Sequence, residues 1–140
     1  MNDSDPLFLD TVFIQALINR QDRYHAEAKR LSYRLRTASV VWVTEAIFLE
    51  LAAALSAIDR QTASSFIRLA YTTGNLKVVS IDSPLFFRAL SLYESRPDKQ
   101  WSLVDCISFL VMQDQGLKLA LTADKHFVQA GFQTLMTQPK

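Results

Sequence analysis

Acidic side chains occur at two positions where a parallel sheet would present them to a ligand. Asp10 follows the apolar stretch 7–9, and Asp124 comes shortly after the mostly apolar stretch 118–121. Both stretches are typical of buried strands, and ligands of parallel sheets bind beyond the carboxyl ends of the strands. We therefore expect Asp10 and Asp124 at one edge of a sheet. Each carboxylate could instead only cap the helix that follows it.

A third acid, Asp105, lies in the most apolar helical segment of the chain. Eight of the ten residues from 103 to 112 are apolar, which is typical of a helix buried on all faces. A buried carboxylate is costly unless it is hydrogen-bonded, paired or bound to metal, and no Lys or Arg occurs between Ser102 and Gly116. The spacing of Ser102 and Asp105 also predicts a capping box. Capping and metal binding are compatible, and both stay open here.

A fourth acid, Glu50, borders the apolar face of a predicted helix over residues 44–58. On a helical wheel, Ile47, Leu51 and Ile58 share one stripe, Glu50 lies at its border, and Glu45 faces away. We expect Glu50 to look inward from the edge of the core, with a solvent-facing position as the alternative. Glu45 is interpreted as a first-turn acid that complements the helix dipole.

Four inward-directed carboxylates would repel one another, and a divalent cation would relieve that repulsion. The hard ions Mg²⁺ and Mn²⁺ prefer carboxylate and water oxygens. His25 and His126 are interpreted as surface or packing residues, so the predicted site offers oxygen ligands only. An ion held in this way can orient a water molecule and neutralise charge that develops on a phosphodiester during hydrolysis.

The elements that would position these acids alternate along the chain. Strands are predicted over 7–9, 39–44, 76–81, 118–121 and 132–136, and helices over 11–20, 22–38, 44–58, 60–73, 84–94, 102–115 and 124–130. Alternating strands and helices predict an α/β fold with a mostly parallel sheet flanked by helices. The length of 140 residues predicts one domain, with short tails at 1–6 and 137–140.

Composition excludes several classes of protein. A hydrophobic share of 49% excludes intrinsic disorder, and a net charge of +1 excludes a histone-like polycation. Cys106 is the only cysteine, which excludes an intramolecular disulfide and fits a reducing cytoplasm. The acidic start has no apolar segment typical of a secretion signal, and no apolar run approaches the ~18 residues of a membrane span. We expect a cytoplasmic protein.

A basic segment is the candidate surface for nucleic acid. Six of the fifteen basic residues fall within seventeen positions: Arg20, Arg23, Lys29, Arg30, Arg34 and Arg36. A helix here would offer phosphate contacts, with a merely solvated helix face as the alternative. Trp101 is the aromatic residue best placed to touch substrate, unless it only packs. Asp98, seven residues before Asp105, is a candidate for the rim of the site.

Four segments together resemble PIN-domain proteins, in particular the VapC-like endoribonuclease toxins of type II toxin–antitoxin systems. The segments are Leu7-Phe-Leu-Asp10-Thr11, Thr44-Glu-Ala-Ile-Phe-Leu-Glu50-Leu51, Asp98-Lys-Gln-Trp-Ser-Leu-Val-Asp105-Cys-Ile-Ser-Phe109 and Leu121-Thr-Ala-Asp124-Lys-His-Phe127-Val-Gln-Ala-Gly131-Phe132. Their order and spacing match together, over nearly the whole chain. The fold implied is a five-stranded parallel sheet between layers of helices.

The resemblance also implies an activity. Asp10, Glu50, Asp105 and Asp124 match the acids of the family and would hold one or two Mg²⁺ or Mn²⁺ ions. Thr11 and Thr122 resemble the hydroxyl residues that flank those acids. The implied reaction is metal-dependent hydrolysis of RNA that leaves a 5′-phosphate and a 3′-hydroxyl. The implied partners are a second copy of the chain and a small antitoxin protein.

Two other interpretations remain at this point. A PIN domain could bind RNA or a protein partner without catalysis. A phosphoacceptor receiver domain is also α/β and of similar length, and Asp82 after the third predicted strand could mimic its acceptor. A receiver domain would need adjacent acids after the first strand, where only Asp10 is found.

Overall fold

A computed structural model describes residues 2–136, which contain five strands and eight helices. In chain order they are β1 (Leu7–Leu9), α1 (Thr11–Ile18), α2 (His25–Leu31), α3 (Arg34–Thr37), β2 (Val41–Thr44), α4 (Glu45–Leu55), α5 (Arg60–Ala70), β3 (Leu76–Val79), α6 (Ser83–Ser95), α7 (Leu103–Asp114), β4 (Leu119–Leu121), α8 (Lys125–Gln129) and β5 (Gln133–Thr134). The predicted tail 137–140 lies outside the described residues. None of the described helices has both the length and the apolar character needed to cross a membrane.

The strands form one sheet in the order β3-β2-β1-β4-β5, and every neighbouring pair is parallel. All three residues of β1 are fully buried. Successive side chains of a strand point to opposite faces, so both faces of the sheet are covered at β1. This explains why β1 is a continuous apolar run, and it confirms the predicted α/β fold with a parallel sheet.

The order of the strands creates a switch point beside β1. The chain runs from β1 outward through β2 to β3, then returns to place β4 on the other side of β1. Leu9 lies opposite Leu121, so the carboxyl ends of β1 and β4 are adjacent. In open parallel sheets, the crevice for a ligand forms where the strand order reverses in this way.

Helix α7 has the all-round burial that its composition predicts. Asp105 through Phe109 are all buried, as are Val111 and Met112. Phe109 packs edge-on against both Trp101 and Phe127, with ring centroids 5.0 and 5.1 Å apart. This packing fixes the start of α7, and therefore Asp105, against the rest of the core.

The predicted single helix over 22–38 is wrong. The structure has two short helices, α2 and α3, separated by Ser32 and Tyr33. The Ser32 hydroxyl donates to the carbonyl of Lys29, which competes with helical hydrogen bonding. Helix α1 likewise ends at Ile18 rather than at residue 20, and side chains of Asn19 and Asp22 then accept backbone hydrogen bonds in turns.

Candidate active site

Asp10 and Asp124 lie together at the switch point, as the sequence predicts, because β1 and β4 are paired. The Thr122 hydroxyl joins the two residues. It donates to Oδ2 of Asp10 at 2.7 Å and accepts from the backbone N–H of Asp124 at 3.1 Å. Asp124 also caps α8, since its Oδ1 accepts from the backbone N–H of His126. Asp10 lies at the start of α1, but its side chain makes no cap hydrogen bond.

Asp10 is the most deeply buried of the acids, with 5% of its surface exposed. Burial disfavours the charged carboxylate and raises the pKa of Asp10 to about 7. The hydrogen bond from Thr122 opposes this shift, whereas the negative charges of Asp124 and Asp105 add to it. The ionised carboxylate of Asp10 is therefore destabilised where it lies, and a nearby positive charge would stabilise it.

Asp105 both caps a helix and faces the same cavity. Its Oδ2 accepts the backbone N–H of Ser102 at 3.0 Å, and the Ser102 hydroxyl accepts the backbone N–H of Asp105 at 3.0 Å, so the predicted capping box is present. Burial raises the pKa of Asp105, and the charge of Asp124 raises it further. Capping is therefore confirmed, and it leaves the carboxylate at the cavity where metal binding is predicted.

Glu50 reaches the site from α4, which begins after Thr44 caps it. Oε1 of Glu50 accepts a hydrogen bond of 2.7 Å from the hydroxyl of Thr11. Partial burial raises the pKa of Glu50, and the charges of Asp105 and Asp124 raise it further. The predicted inward orientation is thus found, and Thr11 holds the carboxylate in place.

The four acids line a single open cavity of about 640 Å³, which we call the carboxylate cavity. Thr11, Gln15, Gln100, Ser102 and His126 contribute polar groups to its wall. Among the residues described, no Lys or Arg lines it. Clustered carboxylates with no Lys or Arg beside them fit a divalent metal such as Mg²⁺ or Mn²⁺.

His126 is the site residue that the sequence analysis missed. Its Nδ1 lies 2.9 Å from Oδ2 of Asp105 and 3.5 Å from Oδ1 of Asp124. One ligand atom from each of these three residues falls within 4.8 Å of the others. The interpretation of His126 as a surface or packing residue, and of the site as offering oxygen atoms only, is therefore wrong. Its position two residues after a capping Asp was the only signal.

Two other predicted site residues lie elsewhere. Asp98 is exposed and ion-paired with Arg96 at 2.9 Å, and the hydrogen bond from Arg96 lowers the pKa of Asp98 to about 2. Trp101 is buried against Phe109, and its Nε1 donates to Gln129. The structure thus supports the packing interpretation of Trp101, and Asp98 does not line the carboxylate cavity.

Not all of the predicted basic segment is available to contact RNA. Arg34 is buried and ion-paired with Asp3 at 3.3 Å, so it cannot contact RNA as predicted. Arg30 pairs with Glu27 at 2.7 Å. None of the six basic residues lines the carboxylate cavity: Arg20, Arg23, Lys29, Arg30, Arg34 and Arg36. Helix α2 buries the apolar residues Ala28 and Leu31, whereas α3 buries Arg34.

We expect Thr122→Val to weaken Mn²⁺ binding by about 10- to 100-fold, as is typical when a group that orients a metal ligand is removed. The change keeps the shape of the side chain but removes the hydroxyl that joins Asp10 to Asp124. Calorimetric titration with Mn²⁺ measures the effect. Thr72→Val is the matched control, because the exposed Thr72 hydroxyl donates to the Leu69 carbonyl, away from the acids. Equal Mn²⁺ affinity in the two variants would show that Thr122 does not orient the acids.

Comparison with known proteins assigns the chain to a family. The PIN domain family model matches residues 7–133, and the chain belongs to the PIN domain family. Among solved structures, VapC20 of Mycobacterium tuberculosis, described as a toxin that cleaves the sarcin-ricin loop, is 27% identical with a TM-score of 0.80. The match covers 90% of this chain and 95% of VapC20.

Two more distant structures share the fold alone. VapBC2 of Rickettsia felis, bound to a promoter DNA fragment, is 13% identical with a TM-score of 0.58, and the match covers 92% of this chain and 96% of that one. FitAcB of Neisseria gonorrhoeae is 15% identical with a TM-score of 0.58, covering 91% and 95% respectively. No curated protein matches the chain in sequence.

Proposed function

We propose that this protein is a metal-dependent endoribonuclease of the toxin type, which hydrolyses RNA phosphodiester bonds with Mg²⁺ or Mn²⁺. The observation that carries the proposal is the carboxylate cavity, in which four acids from different parts of the chain meet without a Lys or Arg in the lining described. The likeness to VapC20, a toxin described as cleaving an RNA loop, supports RNA as the substrate.

The residues of the cavity have distinct roles in this proposal. Asp10, Glu50, Asp105 and Asp124 would hold the ion. When bound, a divalent ion supplies a polarised water molecule and neutralises charge on the phosphate in the transition state. Thr11 and Thr122 fix two of the carboxylates by hydrogen bonds, so that their orientation does not depend on the substrate. His126 stabilises the paired carboxylates of Asp105 and Asp124.

Two alternatives are disfavoured by specific observations. Membership of the PIN domain family argues against a receiver domain. Asp82, which could mimic a phosphoacceptor, instead caps α6 by accepting the backbone N–H of Leu85 at 2.9 Å. A non-catalytic PIN domain has no need of the deeply buried Asp10 beside three other acids, because burial of that carboxylate is costly in the metal-free fold.

The resemblance to toxins extends the proposal to location and partners. We expect the protein to act in the cytoplasm, as a homodimer, and to be inhibited by a small antitoxin protein. Size-exclusion chromatography with light scattering tests the dimer. Co-expression with the product of any small reading frame directly upstream tests the antitoxin, which should suppress RNA cleavage.

The experiment that tests the proposed activity uses purified protein and labelled single-stranded RNA. We expect cleavage with Mg²⁺ or Mn²⁺, products with a 5′-phosphate and a 3′-hydroxyl, and no cleavage in EDTA. Cleavage that persists in EDTA, or products with a cyclic phosphate, would contradict the proposal. Binding of RNA without cleavage under any of these conditions would favour the non-catalytic alternative.

A further inference from the structure

A second cavity adjoins the carboxylate cavity at Gln100. It has a volume of about 420 Å³ and lies where the end of α6 meets the loop that leads into α7. We call it the α6–α7 cavity. Gln100 lines both cavities and directly precedes the Trp101-Ser102 segment that starts α7. An extended ligand that crosses the carboxylate cavity can therefore continue into the α6–α7 cavity.

The charges of the α6–α7 cavity differ from those of its neighbour. Arg96 and Lys99 line it, together with the acid Glu94. Arg96 is held in position, because it donates two hydrogen bonds of 2.9 Å to Asp98 and its guanidinium lies 5.0 Å from the centre of the Trp101 ring. Both carboxylate oxygens of Asp98 therefore accept a hydrogen bond from Arg96.

Lys99 is ion-paired with Asp98 only at long range. Its Nζ lies 3.9 Å from Oδ2 of Asp98, which is too long for a hydrogen bond. The side chain is 29% exposed, so the ammonium group can reach solvent. An ammonium group offers three donors and acts as a point charge toward phosphate.

Tyr93 adds an aromatic surface to the same cavity. It lies on the last turns of α6 with 48% of its surface exposed, so its ring is accessible to a ligand. Aromatic side chains beside Lys or Arg are typical of sites that bind single-stranded nucleic acid, because unstacked bases pack on the ring. The cavity thus combines an ammonium group that can donate hydrogen bonds to a phosphate with an aromatic ring on which a base can stack, and both lie next to the acids.

We propose that the α6–α7 cavity binds the nucleotide next to the scissile phosphate in single-stranded RNA, with Lys99 contacting its phosphate and Tyr93 stacking on its base. The orientation relative to cleavage rests on the proposed nuclease function, but the binding itself does not.

The test measures binding of a fluorescent single-stranded RNA of about 12 nucleotides by anisotropy, in EDTA, where the proposed cleavage is stopped. Lys99→Ala should weaken binding about three- to tenfold and reduce the slope of log affinity against log salt by about 0.7, the value for one phosphate contact on a single strand. Lys99→Arg should keep the slope. Lys118→Ala is the matched control, because Lys118 is exposed at the opposite end of β4.

Tyr93 is tested by a pair of variants. Tyr93→Ala should weaken binding about 5- to 100-fold, the effect of losing one stacked base, whereas Tyr93→Phe should keep the wild-type affinity. Both changes are at an exposed position, and circular dichroism verifies the fold. An unchanged affinity and salt slope in Lys99→Ala and Tyr93→Ala, as in Lys118→Ala, would overturn the proposal. If the variants lose binding but the wild-type protein never cleaves RNA, the cavity proposal stands and the nuclease proposal fails.

Discussion

Asp10→Asn is expected to slow RNA cleavage at least about 100-fold while leaving the fold intact. The change keeps the size of the side chain and an oxygen that can accept from Thr122, but it removes the negative charge from the most buried acid. Losing one ligand of a catalytic ion removes several kcal/mol of transition-state stabilisation, and ~3 kcal/mol corresponds to about a 100-fold slower reaction. Single-turnover cleavage of labelled RNA in Mn²⁺ measures the loss.

The control for this prediction is Asp114→Asn. Asp114 ends α7, the helix whose first turn contains Asp105, and it is exposed and ion-paired with Arg88 at 2.8 Å. An exposed ion pair contributes little to stability, so this variant should cleave at the wild-type rate. Equal rates for Asp10→Asn and Asp114→Asn would mean that Asp10 takes no part in catalysis.

The same Asp10→Asn change should stabilise the metal-free protein at pH 8. The pKa of Asp10 is about 7 in the fold, whereas an Asp of the unfolded chain titrates near 3.9. The native state therefore binds more protons than the unfolded state between about pH 4 and pH 7. Across this window the free energy of unfolding falls as the pH rises, by up to about 1.4 kcal/mol per pH unit.

The Asp10→Asn variant has no carboxylate to ionise at this position, so it escapes this destabilisation. We expect a gain in unfolding free energy of about 2–4 kcal/mol at pH 8 that disappears near pH 4. Urea denaturation in EDTA at both pH values measures it, with Asp114→Asn as the variant that should show no gain. A gain of equal size at both pH values would show that charge burial is not its cause. Saturating Mn²⁺ should reduce the gain, because the ion binds the wild-type site more tightly and so stabilises it more.

The acids could be predicted from sequence because their signals are local. Asp10 and Asp124 follow apolar strands, and the strand order brings the ends of β1 and β4 together. Asp105 stands out in a helix that has no polar face, and Glu50 lies at the border of an apolar stripe. Each signal is contained within about ten residues, and the parallel sheet then fixes their common edge.

The remaining features depend on contacts between distant residues. His126 meets Asp105 only because α8 packs beside the start of α7, and no spacing along the chain encodes that contact. Arg34 looks like a surface cation until Asp3, thirty-one residues away, pairs with it. Asp98 forms an ion pair with Arg96, two residues earlier, and its spacing from Asp105 along the sequence does not reveal that pair.

The most direct test of the shared metal site is a titration with Mn²⁺, followed by the electron paramagnetic resonance signal of the free ion. We expect saturable binding of one or two ions per chain. We also expect at least about tenfold weaker binding in Glu50→Gln, Asp105→Asn and Asp124→Asn, with no change in Asp114→Asn. Wild-type protein that binds no Mn²⁺, or the three site variants binding it as the wild-type protein does, would contradict the claim that these carboxylates hold a common ion.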